Sequence, residues 1–114
     1  MLNMEIEDKK EGNISIVSLT GKMDAYNSIE VSEFLDKLID GKCDFLLINM
    51  EGVDYMSSSG LRVLLSSLKK LKARDGALKL CSMQPYVLEV FEIAGFNQLF
   101  EIYSDEAEAL KSFP

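Results

Sequence analysis

Phe45-Leu46-Leu47-Ile48-Asn49-Met50 is an almost unbroken apolar run of strand length, closed by Glu51-Gly52. It is short for a helix and too apolar for a sheet with one wet face, so it predicts a central strand buried on both sides. Such a strand needs cover above and below. In a chain of 114 residues that means helices packed on a largely parallel sheet.

The flanking segments supply that cover. Met4 to Lys10 begins as alternating apolar and charged residues, Glu11-Gly12-Asn13 reads as a turn, and Ile14 to Thr20 is rich in β-branched residues. Together they predict an antiparallel hairpin, ended by Gly21. A helix is expected from the capping-box-like Asn27-to-Glu30 start, with Val31, Phe34, Leu35 and Leu38 on its inner face and Gly41 at its end. A second helix carries Leu61, Leu64, Leu65, Leu68 and Leu71, with Lys69, Lys70, Lys72 and Arg74 as a solvated face suited to the negative end of the dipole. Asp75-Gly76 stops it, and Ala77 to Ser82 is a further strand with Leu78 and Leu80 alternating against Lys79 and Cys81. Pro85 opens a third helix with Val87, Val90, Phe91 and Ala94 inward and Gly95 as its stop. Leu99 to Tyr103 is a short strand, and Ser104 is expected to cap a last helix. The order is β-β-α-β-α-β-α-β-α. It describes an α/β fold in which an N-terminal antiparallel hairpin enters a mostly parallel mixed sheet covered by helices, one domain over residues 1–114.

Charge and composition narrow the function. A net charge of −7 argues against general nucleic-acid binding and against anionic membranes. No apolar run approaches the ~20 residues of a spanning helix, and Met1-Leu2-Asn3-Met4-Glu5 lacks the basic start of a secretory signal. The expectation is a cytoplasmic monomer. Cys43 and Cys81 read as buried thiols, since no CxxC pair is present. The chain contains no histidine, which removes the commonest metal ligand and the commonest general base near neutral pH. Met56 stands where a Gly-x-Ser-x-Gly elbow around Ser58 needs its first glycine, and no phosphate-binding P-loop is present. These observations point away from an enzyme and call for no metal or cofactor.

What remains is Asp54-Tyr55-Met56-Ser57-Ser58-Ser59-Gly60-Leu61, three hydroxyls at the predicted start of the second helix. Free N–H groups and the dipole make such an end receptive to phosphate. Ser57 or Ser58 serves as the N-cap, which alone contributes about 1 kcal/mol. Asp24 follows the second strand and belongs at the same end of the sheet. Val53, Tyr55 and Met56 are candidates for an apolar patch, and Arg62 is an i,i+4 partner for a group on Ser58.

At this point the chain resembles the STAS fold of bacterial anti-sigma factor antagonists. Tyr55-Met56-Ser57-Ser58-Ser59-Gly60-Leu61 is similar to the family's aromatic-Met-Asp-Ser-Ser/Thr-Gly-Leu loop. Gly21-Lys22-Met23-Asp24-Ala25, the passage Lys69 to Leu80 and Phe91-Glu92-Ile93-Ala94-Gly95-Phe96 resemble three further family segments in the right order. The resemblance implies a protein–protein switch. The unphosphorylated form binds an ATP-dependent serine kinase that is also an anti-sigma factor, and the sigma factor is released. Phosphorylation at Ser58 switches the protein off, and a PP2C-type phosphatase resets it. Asp24, Tyr55, Met56, Ser57, Ser59, Gly60 and Arg62 are the expected partner-binding residues. Two departures stand out: Ser57 replaces the family's Asp, and Arg62 stands where many relatives carry Gly. The alternative is a STAS scaffold that binds a partner without being phosphorylated.

Overall fold

A computed structural model describes residues 4–114; Met1–Asn3, on which part of the signal-peptide expectation rests, lie outside the described residues. The elements are β1 (Glu5–Glu11), β2 (Ile14–Met23), α1 (Ala25–Asp40), β3 (Phe45–Met56), α2 (Ser58–Lys72), β4 (Ala77–Cys81), α3 (Pro85–Ile93), a 3-10 turn (Phe96–Gln98), β5 (Glu101–Tyr103) and α4 (Glu106–Lys111). The five strands lie in the order β1-β2-β3-β4-β5. β1 pairs antiparallel with β2 from Glu5 opposite Thr20 to Glu11 opposite Ile14, and every other pairing is parallel. The hairpin-entered mixed sheet is therefore as expected.

β3 is buried on both faces, and the reason is visible in which neighbours its side chains meet. Leu46, Ile48 and Met50 join a core built with Val31 and Leu35 of α1, Leu64 and Leu68 of α2 and Phe91 of α3. Leu47 points the other way, into a smaller core with Ile14, Ile16, Cys81, Ala109 and Phe113. Three helices thus cover one face and the short α4 covers part of the other. No helix among the described residues is long and apolar enough to cross a membrane.

Several element boundaries differ from expectation, each for a physical reason. β3 does not stop at Met50 but runs to Met56. It gains one residue on β2 between the pairs Ser18–Asn49 and Thr20–Gly52, and another between Gly21–Val53 and Lys22–Tyr55. Such bulges break the period-2 pattern on which a strand is recognised. Gly52 is required there, because a Cβ would sit 2.5 Å from the Thr20 hydroxyl oxygen and 2.8 Å from the Leu19 carbonyl oxygen. α1 starts at Ala25 with Asp24 as its cap, ahead of the Asn27 start expected. α4 is capped by Asp105, whose carboxylate accepts from the Glu108 N–H at 2.8 Å, and not by Ser104. Ala94 is exposed instead of facing inward, since α3 has already ended at Ile93.

Two cations expected at the surface are structural. Lys79 is only 6% exposed. Its ammonium donates to the Ser112 carbonyl at 2.8 Å and hydroxyl at 3.0 Å, lies 3.4 Å from Glu101 and sits 4.8 Å from the centre of the Phe113 ring. A cation at the end of α4 satisfies carbonyls that the helix leaves free. Arg74 is likewise no solvated face: it donates to the carbonyls of Ile39 and Cys43 and pairs with Asp44 at 3.0 Å, tying the end of α2 to the end of α1. Both cysteines are buried free thiols. Burial pushes the Cys81 thiol above its ordinary value.

Candidate functional site

The C-terminal ends of the parallel strands lie at one edge of the sheet, and there Met23 of β2 stands opposite Met56 of β3. The chain leaves these two strands into α1 and α2, so both helix N-termini open side by side. Each is capped by the residue that follows its methionine. Asp24 accepts the Asn27 N–H on its carboxylate at 2.7 Å, while its carbonyl accepts the Ser28 hydroxyl at 2.6 Å. Ser57 accepts the Gly60 N–H on its hydroxyl at 3.1 Å and donates that hydroxyl to the Met23 carbonyl at 2.7 Å. Of the two candidate caps for α2, Ser57 is the one used.

That assignment separates the three serines. Ser57 is engaged in the cap and partly buried. Ser58 is the first residue of α2 and is exposed; its hydroxyl has no hydrogen-bond partner among the described residues. Ser59 is half-buried and lines a shallow groove of about 310 Å³ between α1 and α2, with Ala25, Ser28, Ile29, Ser32, Glu33 and Val63. The Ser59 hydroxyl also has no hydrogen-bond partner among the described residues, so exposure is what sets Ser58 apart from it.

Two residues expected on the docking surface are interior. Met56 is 4% exposed and Gly60 is buried beneath it. A Cβ on Gly60 would lie 2.7 Å from the Met56 sulfur and 3.1 Å from both Cβ and the carbonyl oxygen of Met23. The glycine lets the first turn of α2 press onto the ends of both strands, which is packing and not display. Val53 is fully buried as well. Tyr55 remains at the surface at 39% exposure, beside the Lys22–Asp54 ion pair of 3.5 Å. Arg62 is exposed one turn beyond Ser58 and enters no ion pair among the described residues.

The sequence reading overlooked the strongest apolar feature at this end. Tyr26 and Ile29 of α1 are 62% and 61% exposed, and both flank the acidic pair Glu30 and Glu33. The signal was present: these residues fall off the Val31–Leu35 face that packs on the sheet, so their apolar side chains have no place inside. Asn27, by contrast, is buried; its amide donates to the Lys22 carbonyl at 2.9 Å, and its own oxygen has no partner among the described residues. No group of three His, Cys, Asp or Glu side chains among the described residues is arranged to hold a metal.

A family model for the STAS domain matches residues 5–109. The chain belongs to the STAS domain family. Among curated relatives, the STAS chain is 28% identical over 110 residues to the anti-sigma F factor antagonist of Paenibacillus polymyxa, covering 96% of this chain and 94% of the relative. It is 31% identical over 107 residues to the anti-sigma-B factor antagonist of Listeria monocytogenes, covering 94% and 93%. Its fold also matches that of the Bacillus cell fate determinant SpoIIAA in its phosphorylated form, with a TM-score of 0.74 at 20% identity over 94% of this chain and 97% of that one.

Proposed function

We propose that this STAS domain is an anti-sigma factor antagonist, a regulator and not an enzyme, switched by phosphorylation at Ser58. The observation that carries the reading is the division among the serines: Ser57 is spent on the cap, Ser59 is half-buried at the groove, and Ser58 is the exposed one of the three, with an unengaged hydroxyl. The names of the relatives support it.

In the unphosphorylated state the anti-sigma factor docks over Ser58, the groove and the exposed Tyr26 and Ile29. Glu30 and Glu33 beside them fit a partner with a basic rim. Docking on this surface frees the sigma factor. The partner is also the kinase: the Ser58 hydroxyl oxygen attacks the γ-phosphorus of ATP, the bond to ADP breaks, and the serine proton passes to a base of the kinase. A PP2C-type phosphatase reverses the modification by water attack on phosphorus, returning the proton to Ser58 and releasing inorganic phosphate. Use of ATP places the pair in the cytoplasm.

The added charge of roughly −1.5 to −2 at pH 7 acts at the surface and leaves the fold intact. The first turn of α2 has free N–H groups and the positive end of the dipole, which tolerate an anion. Side chains of a helix lean toward its N-terminus, so Arg62 at i+4 is placed to pair with the phosphate. Before modification that arginine is free to contact the partner.

Incubation with the cognate kinase and ATP, followed by intact-mass measurement, tests the assignment. Wild type is expected to gain the mass of one phosphate and Ser58→Ala none. Phosphate that persists in Ser58→Ala moves the site elsewhere. A wild type that binds the anti-sigma factor yet gains no phosphate selects the second reading, an unmodified STAS scaffold, which Ser57 in place of the family's Asp favours.

A further inference from the structure

α2 carries Arg62, Lys69, Lys70 and Lys72 and no carboxylate, and no acidic residue stands between Asp54 and Asp75, in a chain whose net charge is −7. Folding does not require this, since Leu61, Leu64, Leu68 and Leu71 hold the helix on the sheet from its other face. A helix face that meets only water commonly mixes signs and gains from i,i+4 pairs of glutamate and lysine. The dipole accounts for cations in the last turn. It does not account for Arg62, which stands in the second turn, toward the positive end of the helix.

The free cations are not scattered. Successive residues of an α-helix turn by about 100°, which puts Ser58, Arg62, Leu65 and Lys69 within about 60° of one another on a single ridge. Ser58, Arg62 and Lys69 are exposed and Leu65 is half-buried. Arg62, Leu65, Ser66, Lys69 and Lys70 line one depression of about 460 Å³ on this side of the helix. Lys70 is spent on Asp36 of α1 at 2.7 Å, whereas Arg62 and Lys69 enter no ion pair among the described residues. These two cations lie about 10 Å apart along the axis, with the apolar Leu65 between them.

We infer that this ridge of α2 docks an acidic segment of the anti-sigma factor, in which two carboxylates about 10 Å apart bracket an apolar residue. The inference rests on the reading of the chain as an anti-sigma factor antagonist. Arg62 offers a planar fork that takes a carboxylate by two hydrogen bonds, Lys69 supplies a second point charge, and Leu65 receives the apolar side chain. A segment in extended conformation spans the distance with carboxylates three residues apart. The partner then meets opposite signs on the two helices, carboxylates at Glu30 and Glu33 of α1 and cations on α2. Such a pattern fixes the orientation of docking and speeds encounter. Ser58 heads the same ridge, so a phosphate there repels the acidic segment and draws Arg62 away from it.

The test measures affinity for the kinase-type anti-sigma factor by titration calorimetry at low and at high salt. Arg62→Glu combined with Lys69→Glu is expected to weaken binding at least about 30-fold at low salt, and by less at high salt, where surface charges are screened. Lys10→Glu combined with Lys111→Glu makes the same change of net charge at exposed sites on β1 and α4, and is expected to stay within about twofold of wild type. Arg62→Gln with Lys69→Gln serves if the glutamate variant does not fold, with an expected loss of about fivefold. Wild-type affinity in the ridge variants, or an equal loss in the control pair, overturns the dock. So does a wild type that dimerises in sedimentation and a ridge variant that does not, since the occupant is then the acidic α1 of a second copy. If wild type binds no anti-sigma factor, the functional reading falls and a chemical-shift titration decides the ridge. Its probe is a synthetic peptide with glutamates three residues apart around a leucine, set against the glutamine counterpart. Saturable shifts over Arg62 to Lys69 with the glutamate peptide alone sustain the ridge as an acceptor of acidic segments, and their absence overturns it.

Discussion

Tyr26→Ala combined with Ile29→Asp is expected to weaken binding to the anti-sigma factor by about 100-fold or more while leaving the denaturation midpoint of the chain nearly unchanged. Both side chains stand mostly in water on the outer face of α1, where an apolar residue contributes nothing to the fold. Val31, Leu35 and Ile39 hold the helix on the sheet from its other face and are untouched. At an interface, aromatic and aliphatic anchors of this kind carry much of the binding energy, commonly about 2 kcal/mol each. A carboxylate at position 29 adds the desolvation of a charge within the contact, next to Glu33 one turn along the same helix. Two such losses exceed the ~2.8 kcal/mol that a 100-fold change requires. Titration calorimetry against the anti-sigma factor reads the effect, and unaltered affinity removes this face of α1 from the interface.

The largest effect on stability is expected at Gly76. This residue turns the chain from α2 into β4; its N–H donates to the Leu71 carbonyl at 2.7 Å, and the next N–H, of Ala77, donates to the Asp44 carbonyl at 2.9 Å. A Cβ at Gly76 would overlap the Asp44 carbonyl oxygen, which is backbone and has no rotamer to escape into. Nor is the Asp44 segment free to retreat, because Arg74 grips the carbonyls of Ile39 and Cys43 and the Asp44 carboxylate. Gly76→Ala is therefore expected to cost about 3 kcal/mol, at the upper end for over-packing. For a chain of this size that is a fall in melting temperature of about 10 °C or more. Gly12→Ala is the matched control: a Cβ there meets nothing within 4 Å, and only its φ of +60° is strained. A Gly76→Ala protein that melts with wild type would show that the Asp44 turn yields more readily than its hydrogen bonds imply.

The architecture was legible because Phe45 to Met50 could be satisfied in only one way. A short strand without a polar face requires two covering layers, and the amphipathic periods on either side supplied them. The points that were not legible share a cause, which is that pairing partners are set by tertiary contact. The bulges at Gly52 and beyond Val53 depend on how β2 lies beside β3, so the strand runs on past a dipeptide that locally reads as its end. Lys79 looks like the wet half of an alternating strand until α4 folds over it and brings the Ser112 carbonyl to its ammonium. At the site, the serine stretch is legible from helix-start chemistry and Asp24 from its place after the second strand, but chemistry alone could not rank three adjacent hydroxyls. The Met23 carbonyl, contributed by a distant strand, sets Ser57 apart by engaging it, and the fold leaves Ser58 exposed while half-burying Ser59. Tyr26 and Ile29 are not marked by the serine motif, because this exposed apolar surface lies on the neighbouring helix and not beside the serines in sequence.

The most direct test of the account compares the affinity of one protein for its anti-sigma factor before and after phosphorylation at Ser58, by calorimetry with the modification verified by mass. A phosphate in the middle of a contact that also includes the apolar side chains of Tyr26 and Ile29 must give up its hydration on docking, and a charge desolvated in an interface without a partner costs several kcal/mol. The predicted result is tight binding by the unmodified chain and a loss of about 100-fold or more on phosphorylation, with both forms equally folded. Equal affinity of the two forms would contradict it.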